Sequence, residues 1–490
     1  MQYSDNNDEE RELRICYECV GEAYLSSEIE RNGVEGGCSY CDEVAKSWAI
    51  HELSNSVEAA LERHFIRTSD QPDSLQERML ADRESLYDWY RDGEPVLDVI
   101  VNTAEISEDA AKDVLEILAD KHYDRHLAEI GEETEFDGDS YYEQRRASDE
   151  TWQWEWNNFE QSLKSEARFF SRAATDYLAS IFDGIDECKT RDDYQVVVNA
   201  GPQSEFEFLY RARVFQSKEK LKEAICHPDL HIGPPPGRFA ASGRMNARGI
   251  SVFYGATDAD VALAEVRPPV GSDAVVAKFF IVRPLRLLDL SALEGVYENG
   301  SFFDPLYKER LERAAFLRSL GRRITKPVMP DDQDFDYLVT QAIADFLATE
   351  NKPQLDGIIF ESVQSKSGRN VVLFHKAARV EPIVYPKGTE VKADSGYWTE
   401  DGWEPEYVVR VRSPRQEEPQ VPPGNKIFAY LGLPPDVDRA LGYLTDVAAD
   451  PRDVALRVDP KSITVHQIDR VQVHSTMSEV KRHTFKMFNR

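Results

Sequence analysis

The sequence predicts an α+β protein with three successive parts: a zinc-ribbon-like module in residues 1–43, an α-helical region in 44–204, and a mixed, mostly antiparallel β-sheet from residue 205 onward. Four cysteines near the N-terminus have the spacing of a metal site. After them, apolar residues recur every three or four positions, which is typical of helices. From residue 205 this period gives way to short runs rich in Val, Ile, Phe and Leu, which are typical of strands. The length of 490 residues fits two or three domains.

The N-terminal cysteines form two CxxC pairs, CYEC and CSYC, about 18 residues apart. In structural zinc sites each such pair supplies two thiolates from one tight turn, and two pairs complete a tetrahedron. Since four cysteines leave no position for water, the spacing predicts a structural Zn²⁺. Two disulfides are the alternative, which a reducing cytoplasm disfavours. The predicted ligands are Cys16, Cys19, Cys38 and Cys41.

Residues 44–204 carry the apolar spacing of amphipathic helices, most clearly in segments 42–65 and 107–130. A third segment begins at the aromatic run 151–160 and places apolar residues up to Ile181 on one stripe. That arrangement favours helix packing over a ligand cage as the role of its tryptophans. The acidic stretch 131–150 predicts an exposed loop.

In the second half, six apolar runs between residues 206 and 374 predict strands, with helices at 257–267 and around 335–349. Thr257 and Asp260 match a capping box that would start the first of these helices. Glu265 lies inside that helix, four residues after Val261 and on the same face. The helix therefore carries a carboxylate on an apolar stripe, which requires an explanation.

Residues 386–490 are predicted to form a C-terminal extension that packs on the sheet domain. A Pro-rich connector at 413–424 interrupts this region, and residues 462–475 have the pattern of a returning strand or of the edge of an added subdomain.

The charge of the chain excludes several classes of partner. Its formal net charge is −31, whereas affinity for nucleic acid rests on neutralising phosphates with Lys and Arg. No stretch reaches the roughly 20 apolar residues of a membrane span, and the acidic N-terminus does not fit a secretory signal. We therefore expect a soluble, cytoplasmic protein that binds neither nucleic acid nor membrane.

A set of polar residues lies at the ends of predicted elements, where binding and catalytic groups tend to be found. Taken singly, each has an ordinary structural explanation, such as a surface arginine, an amphipathic tyrosine, or a buried Glu265 paired with Arg267. The set comprises Arg211 in LYRAR, Arg244 in GRMN, Tyr254 at the end of VFY, Glu265, Ser362 just past a strand, and Asn370 at the start of the next strand.

Together, LYRAR, GPPP, GRMNARGISVFYGATDADVALAEVRPPVG and IIFESV…GRNVVLF resemble the RES domain, a family named for its Arg, Glu and Ser. The resemblance covers residues 205–385. It implies an ADP-ribosyltransferase-like fold that consumes NAD⁺. The N-terminal half is similar to the HEPN-like helical region found ahead of some RES domains. The Arg-x4–6-His motif of HEPN ribonucleases is not convincingly present, so ribonuclease activity is not implied.

The resemblance also implies roles for individual residues. Arg211 and Arg244 would hold the phosphates of the dinucleotide, with Arg213 as a competitor for the role of Arg211. Tyr254 would lie beside the nicotinamide ribose. The implied catalytic set is Glu265, Ser362 and Arg211, and the implied NAD⁺-binding set is Arg211, Arg244, Tyr254, Ser362 and Asn370.

The chemistry of nicotinamide loss suits these residue types. The bond breaks through an oxocarbenium-like state, and the cationic leaving group needs no general acid. A carboxylate such as Glu265 favours the positive charge that develops on the ribose, and guanidinium groups match phosphates bidentately. A tyrosine can stack on the nicotinamide ring. No His or Lys base is apparent beside Ser362, which is therefore better suited to positioning NAD⁺ than to nucleophilic attack. Phosphate, water and a protein side chain all remain candidates for the acceptor.

These inferences favour an NAD⁺ phosphorylase or glycohydrolase acting as a bacterial toxin or phage-defence effector. An antitoxin, another regulatory protein or the N-terminal half itself would restrain it, and the helical surface favours a homodimer. Two alternatives stay open. One is a protein ADP-ribosyltransferase on the same fold, and the other is a non-catalytic protein that binds a nucleotide and a partner.

Overall fold

The computed structural model describes residues 12–82, 84–166, 168, 170–364, 368–400, 402–414, 450–472 and 475–483. The chain divides into two compact units. The first comprises Met1–Trp156 and Val296–Arg318, and the second comprises Asn157–Gly295 and Ser319–Arg490. Among the described residues, no helix combines the length and the apolar character that crossing a membrane requires.

The helices of the described residues, numbered in chain order, are α1 (Ala23–Asn32), α2 (Ile50–His64), α3 (Ser74–Ala81), α4 (Val96–Ala104), α5 (Glu108–Lys121), α6 (Arg125–Ile130), α7 (Glu150–Ser165), α8 (Arg172–Phe182), α9 (Lys218–Cys226), α10 (Pro228–His231), α11 (Ala259–Glu265), α12 (Tyr307–Thr325) and α13 (Gln333–Thr349).

The strands of the described residues are β1 (Arg14–Cys16), β2 (Val34–Gly37), β3 (Val44–Ala49), β4 (Phe65–Arg67), β5 (Glu94–Pro95), β6 (Tyr141–Gln144), β7 (Val197–Ala200), β8 (Phe208–Phe215), β9 (Phe253–Ala256), β10 (Asp273–Ile281), β11 (Leu285–Asp289), β12 (Gly357–Glu361), β13 (Arg369–Leu373), β14 (Glu390–Asp394), β15 (Tyr397–Thr399), β16 (Gly402–Glu404), β17 (Val408–Arg412), β18 (Leu456–Val458) and β19 (Thr464–Gln467).

The first unit opens with an antiparallel sheet of order β1-β3-β2, which carries the cysteine turns. The sequence predicted a helix beginning near residue 42. This prediction is wrong for residues 44–49, which form strand β3. That strand pairs on both sides, and α2 begins only at Ile50. Pairing with β1 and β2 satisfies the backbone hydrogen-bonding groups of residues 44–49, and this outweighs the helical spacing of their apolar side chains.

The acidic stretch 131–150 is not simply an exposed loop, as the sequence suggested. Within it, Phe136 is 1% and Tyr142 is 5% exposed, and their ring centroids lie 5.8 Å apart. Strand β6 also falls in this stretch and pairs with β4 and β5. Glu133 accepts two hydrogen bonds of 2.6 Å from the guanidinium of Arg91. Buried aromatic rings and a bidentate ion pair therefore anchor a segment whose composition alone looks solvated.

The aromatic run that begins α7 packs against a helix, as the sequence predicted. The rings of Trp152 and Trp156 each lie 5.8 Å from that of Phe316 in α12. The predicted apolar stripe up to Ile181 is nevertheless broken between α7 and α8. α7 ends at Ser165, and Phe170, which adopts φ +63° and is fully exposed, does not join the stripe.

The second unit is built on a nine-stranded mixed sheet. Eight strands follow the order β18-β10-β8-β9-β13-β12-β11-β7, and β19 also pairs with β10. The β11–β12 pair is parallel, while the other pairs are antiparallel. The six predicted strands form β8 to β13, and the predicted returning strand is β19. Residues 415–424 of the predicted connector lie outside the described residues.

The sequence prediction missed α12, a helix of 19 residues. Its many charged residues mask the apolar period, which survives at Leu317, Leu320 and Ile324, all of them buried. The end of this helix contributes to the candidate site.

A buried histidine lies at the end of α2. His64 is 4% exposed, and its ring lies 5.1 Å from that of Phe302 and 5.7 Å from that of Tyr307. Its Nε2 has no hydrogen-bond partner among the residues that the structure describes. Burial, together with the positive charges of Arg63 and Lys308, lowers the pKa of His64 to about 4. The fold therefore favours the neutral imidazole.

We expect acid to destabilise the first unit through His64. Because the pKa is lowered on folding, the stabilisation is complete above about pH 6.5 and is lost as the pH falls toward 4. Between pH 7 and pH 4.5 the free energy of unfolding should drop by roughly 2 kcal/mol from this group. Urea unfolding of wild type and of His64→Phe at pH 7 and pH 4.5 measures this drop, which should be smaller in the variant. An equal drop in the two proteins would contradict the assignment.

Candidate active site

A cavity of about 420 Å³ lies in the second unit, where β8, β9 and β13 are neighbours in the sheet. Five of the six polar residues singled out by the sequence line it, and the sixth, Ser362, is hydrogen-bonded to one of them. Sheet order therefore brings together residues that are far apart in the chain. The lining includes Tyr210, Arg211, Arg244, Tyr254, Glu265, Arg267, Gln333, Tyr337, Gln364 and Asn370.

Glu265, the last residue of α11, is held by two neutral donors. Its Oε1 accepts hydrogen bonds of 2.7 Å from Ser362 Oγ and 2.7 Å from Asn370 Nδ2, both on buried residues. The second oxygen, Oε2, has no hydrogen-bond partner among the described residues. The alternative ion pair with Arg267 does not form. Neutral donors orient a carboxylate without cancelling its charge, so Glu265 offers a fixed negative group to the cavity.

Helix α11 starts differently from the capping box that the sequence predicted. The N-cap residue is Asp258, and its side chain makes no capping hydrogen bond. Thr257 instead continues the pairing of β9 with β13: its backbone N–H donates to Arg369 O (2.9 Å), and its Oγ1 accepts from Arg369 N (3.0 Å). This pairing ties the start of the helix to the strand that carries Asn370, and so sets the position of Glu265 relative to that side chain.

Gly368, the residue before β13, packs closely against the same helix. Gly368 adopts φ +93°, and a Cβ there would lie 2.5 Å from Val261 Cγ2. Only glycine meets both conditions at low cost. The close approach helps to keep α11 against β13.

Arg211 in β8 lines the cavity, and its guanidinium is hydrogen-bonded to backbone carbonyls. Its Nε donates to Ile232 O and its Nη1 to Tyr254 O, each at 2.8 Å. Burial lowers the pKa of Arg211 to about 10, with the nearby charge of Arg213 adding to the effect, and the group stays protonated at neutral pH. Arg213 is exposed, donates to His231 O and does not line the cavity. Of the two arginines considered from the sequence, Arg211 faces the cavity.

Arg244 is anchored by the end of α12, the helix that sequence patterning missed. Its Nη1 donates to Ile324 O (2.7 Å) and its Nη2 to Lys326 O (2.8 Å). Carbonyls at a helix C-terminus favour a cation. The guanidinium also lies 5.2 Å from the ring centre of Tyr337 in α13. Two helices thus hold this arginine at the cavity.

The hydroxyl of Tyr254 shapes a loop of the cavity wall. It accepts a hydrogen bond from Met245 N (3.0 Å) and donates to Asn246 Oδ1 (2.9 Å), and burial raises its pKa to about 12. A Cβ at Gly243 would lie 2.7 Å from this hydroxyl, so the loop can close only around glycine. Since both hydrogen bonds of the hydroxyl go to the loop, the part of Tyr254 left to contact a ligand in the cavity is its ring.

Residues 209–393 match the RES domain family. This part of the chain is a RES domain. All the residues named above as lining the cavity fall inside the matched segment, so the RES domain carries the candidate site. No curated protein and no solved structure matches the chain.

The RES domain also brings residues to the cavity that sequence reasoning did not select. Tyr337 and Gln333 come from α13, Thr325 from the end of α12, and Gln364 from the segment after β12. Polar residues on helices carry no signal of their own in a single sequence. The apolar period of α12 was the one available signal, because it would have placed Thr325 at a helix end.

Outside the RES domain, the four N-terminal cysteines converge. The Sγ atoms of Cys16 and Cys41 lie 3.6 Å apart, those of Cys19 and Cys38 lie 3.7 Å apart, and all four lie within 4.8 Å of one another. A tetrahedron with Zn–S bonds of about 2.3 Å has S···S edges of about 3.8 Å, whereas a disulfide requires about 2.05 Å. The cluster therefore fits a four-thiolate metal site, and these cysteines can bind zinc.

Proposed function

We propose that the RES domain is an NAD⁺-consuming enzyme that cleaves the bond between nicotinamide and ribose, as a phosphorylase or a glycohydrolase. The observation that carries the proposal is the carboxylate of Glu265, fixed by Ser362 and Asn370 at a cavity that two anchored arginines also line. A cavity that holds a negative group together with positive groups suits a substrate with a cationic nicotinamide and an anionic diphosphate.

In this proposal each group acts on a different part of the substrate. Glu265 faces the nicotinamide ribose and favours the positive charge that develops as the bond breaks. Arg211 and Arg244 hold the diphosphate through their remaining N–H donors. The ring of Tyr254 contacts the nicotinamide end. The Ser362 hydroxyl donates a hydrogen bond to Glu265, as does the Asn370 amide, so we assign both as positioning residues for that carboxylate.

We further propose an ADP-ribosyltransferase-like fold for residues 205–385, with residues 386–490 as an extension packed on it. Residues 1–43 would hold a structural Zn²⁺ in a zinc-ribbon-like module, and residues 44–204 would form a HEPN-like regulatory region. Depletion of NAD⁺ in the cytoplasm would suit a bacterial toxin or phage-defence effector. An antitoxin or regulatory protein would then restrain the chain, which we expect to form a homodimer.

Incubation of the purified protein with NAD⁺, with and without inorganic phosphate, tests the proposed activity. We expect free nicotinamide, together with phosphorylated ADP-ribose from phosphorolysis or ADP-ribose from hydrolysis. Chromatography with mass detection separates these products. ADP-ribose attached to protein would instead favour a transferase. NAD⁺ that stays intact, under conditions that release any bound inhibitor, would overturn the proposal.

A further inference from the structure

A second cavity, of about 720 Å³, lies in the second unit beside the candidate active site. Ser242 lines both cavities, and the loop of residues 237–249 contributes wall residues to each. Arg244 of this loop lines the first cavity, whereas Arg238 and Arg248 line the second. The volume falls in the range of about 300–1,000 Å³ that is usual for small-molecule sites. None of the residues assigned above to NAD⁺ lines this second cavity.

The loop between the two cavities is held by its own side chains and by α13. Asn246 is buried, and its Nδ2 donates to Ala241 O (2.9 Å) across the loop. From α13, the Nε2 of Gln341 donates to Ser242 Oγ (3.0 Å) and to Gly243 O (2.8 Å). These hydrogen bonds fix the backbone that forms this wall. The second cavity is therefore preorganised, which lowers the cost of binding a ligand.

The charged groups of the second cavity are not paired with one another. Arg168, Arg238 and Arg248 line it, all of them exposed, and none forms a hydrogen bond or an ion pair within the described part of the chain. Asp334 and Asp345 of α13 also line it, and among the described residues neither carboxylate is bound to an arginine. Each guanidinium offers five N–H donors and matches phosphate bidentately. The cavity therefore suits a ligand that carries both anionic groups and hydrogen-bond donors.

The second cavity also presents an aromatic surface. Phe239 is 65% exposed, and the guanidinium carbon of Arg238 lies 4.6 Å from the centre of its ring. Leu163 and Ala240, both buried, add apolar wall beside them. Aromatic rings and guanidinium planes are the surfaces on which nucleobases stack. Phosphate-binding donors, free acceptors and a stacking surface together indicate a nucleotide.

We propose that the second cavity binds a nucleotide with a diphosphate or a longer phosphate chain, separately from the NAD⁺ assigned to the first cavity. The three arginines bind the phosphates, and Phe239 stacks on the base. The two carboxylates accept hydrogen bonds from ribose hydroxyls or from an amino group of the base. The inference goes beyond the proposed function, because it requires binding alone. A nucleotide bound here contacts the loop that carries Arg244 and so lies next to the candidate active site.

Calorimetric titration of the full chain with ADP tests the second site. We expect Arg248→Gln to weaken ADP binding at one site by about tenfold or more, because a charged hydrogen-bond donor is lost. Phe239→Ala should weaken the same binding, and inorganic pyrophosphate should bind more weakly than ADP because it has no base. Arg172→Gln is the matched control and should bind ADP as wild type does. Arg172 is an exposed arginine at the start of α8 that lines neither cavity.

Three results would overturn this inference. The first is ADP binding by Arg248→Gln with the affinity and stoichiometry of wild type, and the second is pyrophosphate binding as tight as that of ADP. The third concerns the substrate itself, through the KM for NAD⁺ in nicotinamide release. Arg248→Gln should leave this KM within about twofold of wild type, and a rise that matches the loss of ADP binding would place the substrate in the second cavity. If wild type releases no nicotinamide, the proposed function fails separately, and the ADP titration still decides on the second site.

Discussion

Replacement of Glu265 by Gln is expected to reduce nicotinamide release from NAD⁺ by about 100- to 1,000-fold, the usual effect of removing one group that stabilises developing charge. Glutamine keeps the size of the side chain and an oxygen that can accept from Ser362 and Asn370. The substitution therefore removes the negative charge and leaves the hydrogen-bonded position nearly intact. The effect should fall on kcat, since the charge matters most as the ribose becomes cationic.

Glu361→Gln is the matched control for this variant. Glu361 ends β12 one residue before Ser362, is exposed, and does not line the cavity. Its rate should equal that of wild type. Both variants should unfold at the wild-type temperature, because within the described part of the chain Glu265 has no cationic partner whose loss would destabilise the fold. A Glu265→Gln enzyme with the wild-type kcat would contradict the role assigned to the carboxylate.

Loss of the metal is expected to have the largest effect on stability. Apparent binding free energies of structural zinc in small modules are about 10–16 kcal/mol at neutral pH, and much of that energy supports folding. The cysteine turns are joined to β1 and β3, and Ile15 next to Cys16 belongs to the buried core of the first unit. Chelation, or Cys38→Ser, should therefore unfold at least this part of the unit.

Metal analysis and thermal unfolding measure this effect together. Wild type should contain one zinc per chain, and Cys38→Ser should lose it and show early proteolysis near the N-terminus. Cys188→Ser is the control, since Cys188 lies in the second unit, away from the cluster, and should keep both the metal and the melting behaviour. Absence of metal from the wild type, with unchanged melting after chelation, would contradict a structural zinc site.

Sequence patterns predicted those strands whose residue types alone favour a strand. The strands β8 to β13 and the returning β19 follow from runs of apolar, β-branched and aromatic residues. Patterns failed where long-range pairing decided the outcome. Residues 44–49 form β3 because a strand pairs with them on each side. Thr257 does not cap the helix as predicted, because its backbone and hydroxyl are hydrogen-bonded to Arg369. Charged residues hid α12, although its apolar face is buried.

The sequence by itself determined the cysteine cluster and selected the candidate site residues. The CxxC spacing brings two thiolates to each turn, and the resemblance to the RES family selected Arg211, Arg244, Tyr254 and Glu265. Only the tertiary structure decided which hydrogen-bond partners each of these side chains has. Sheet order brings Asn370 and Ser362 to Glu265, while α12 engages Arg244 and the loop after Gly243 engages the Tyr254 hydroxyl. These contacts join residues that are distant in the chain, and a linear pattern does not encode which hydrogen-bond donors and acceptors they use.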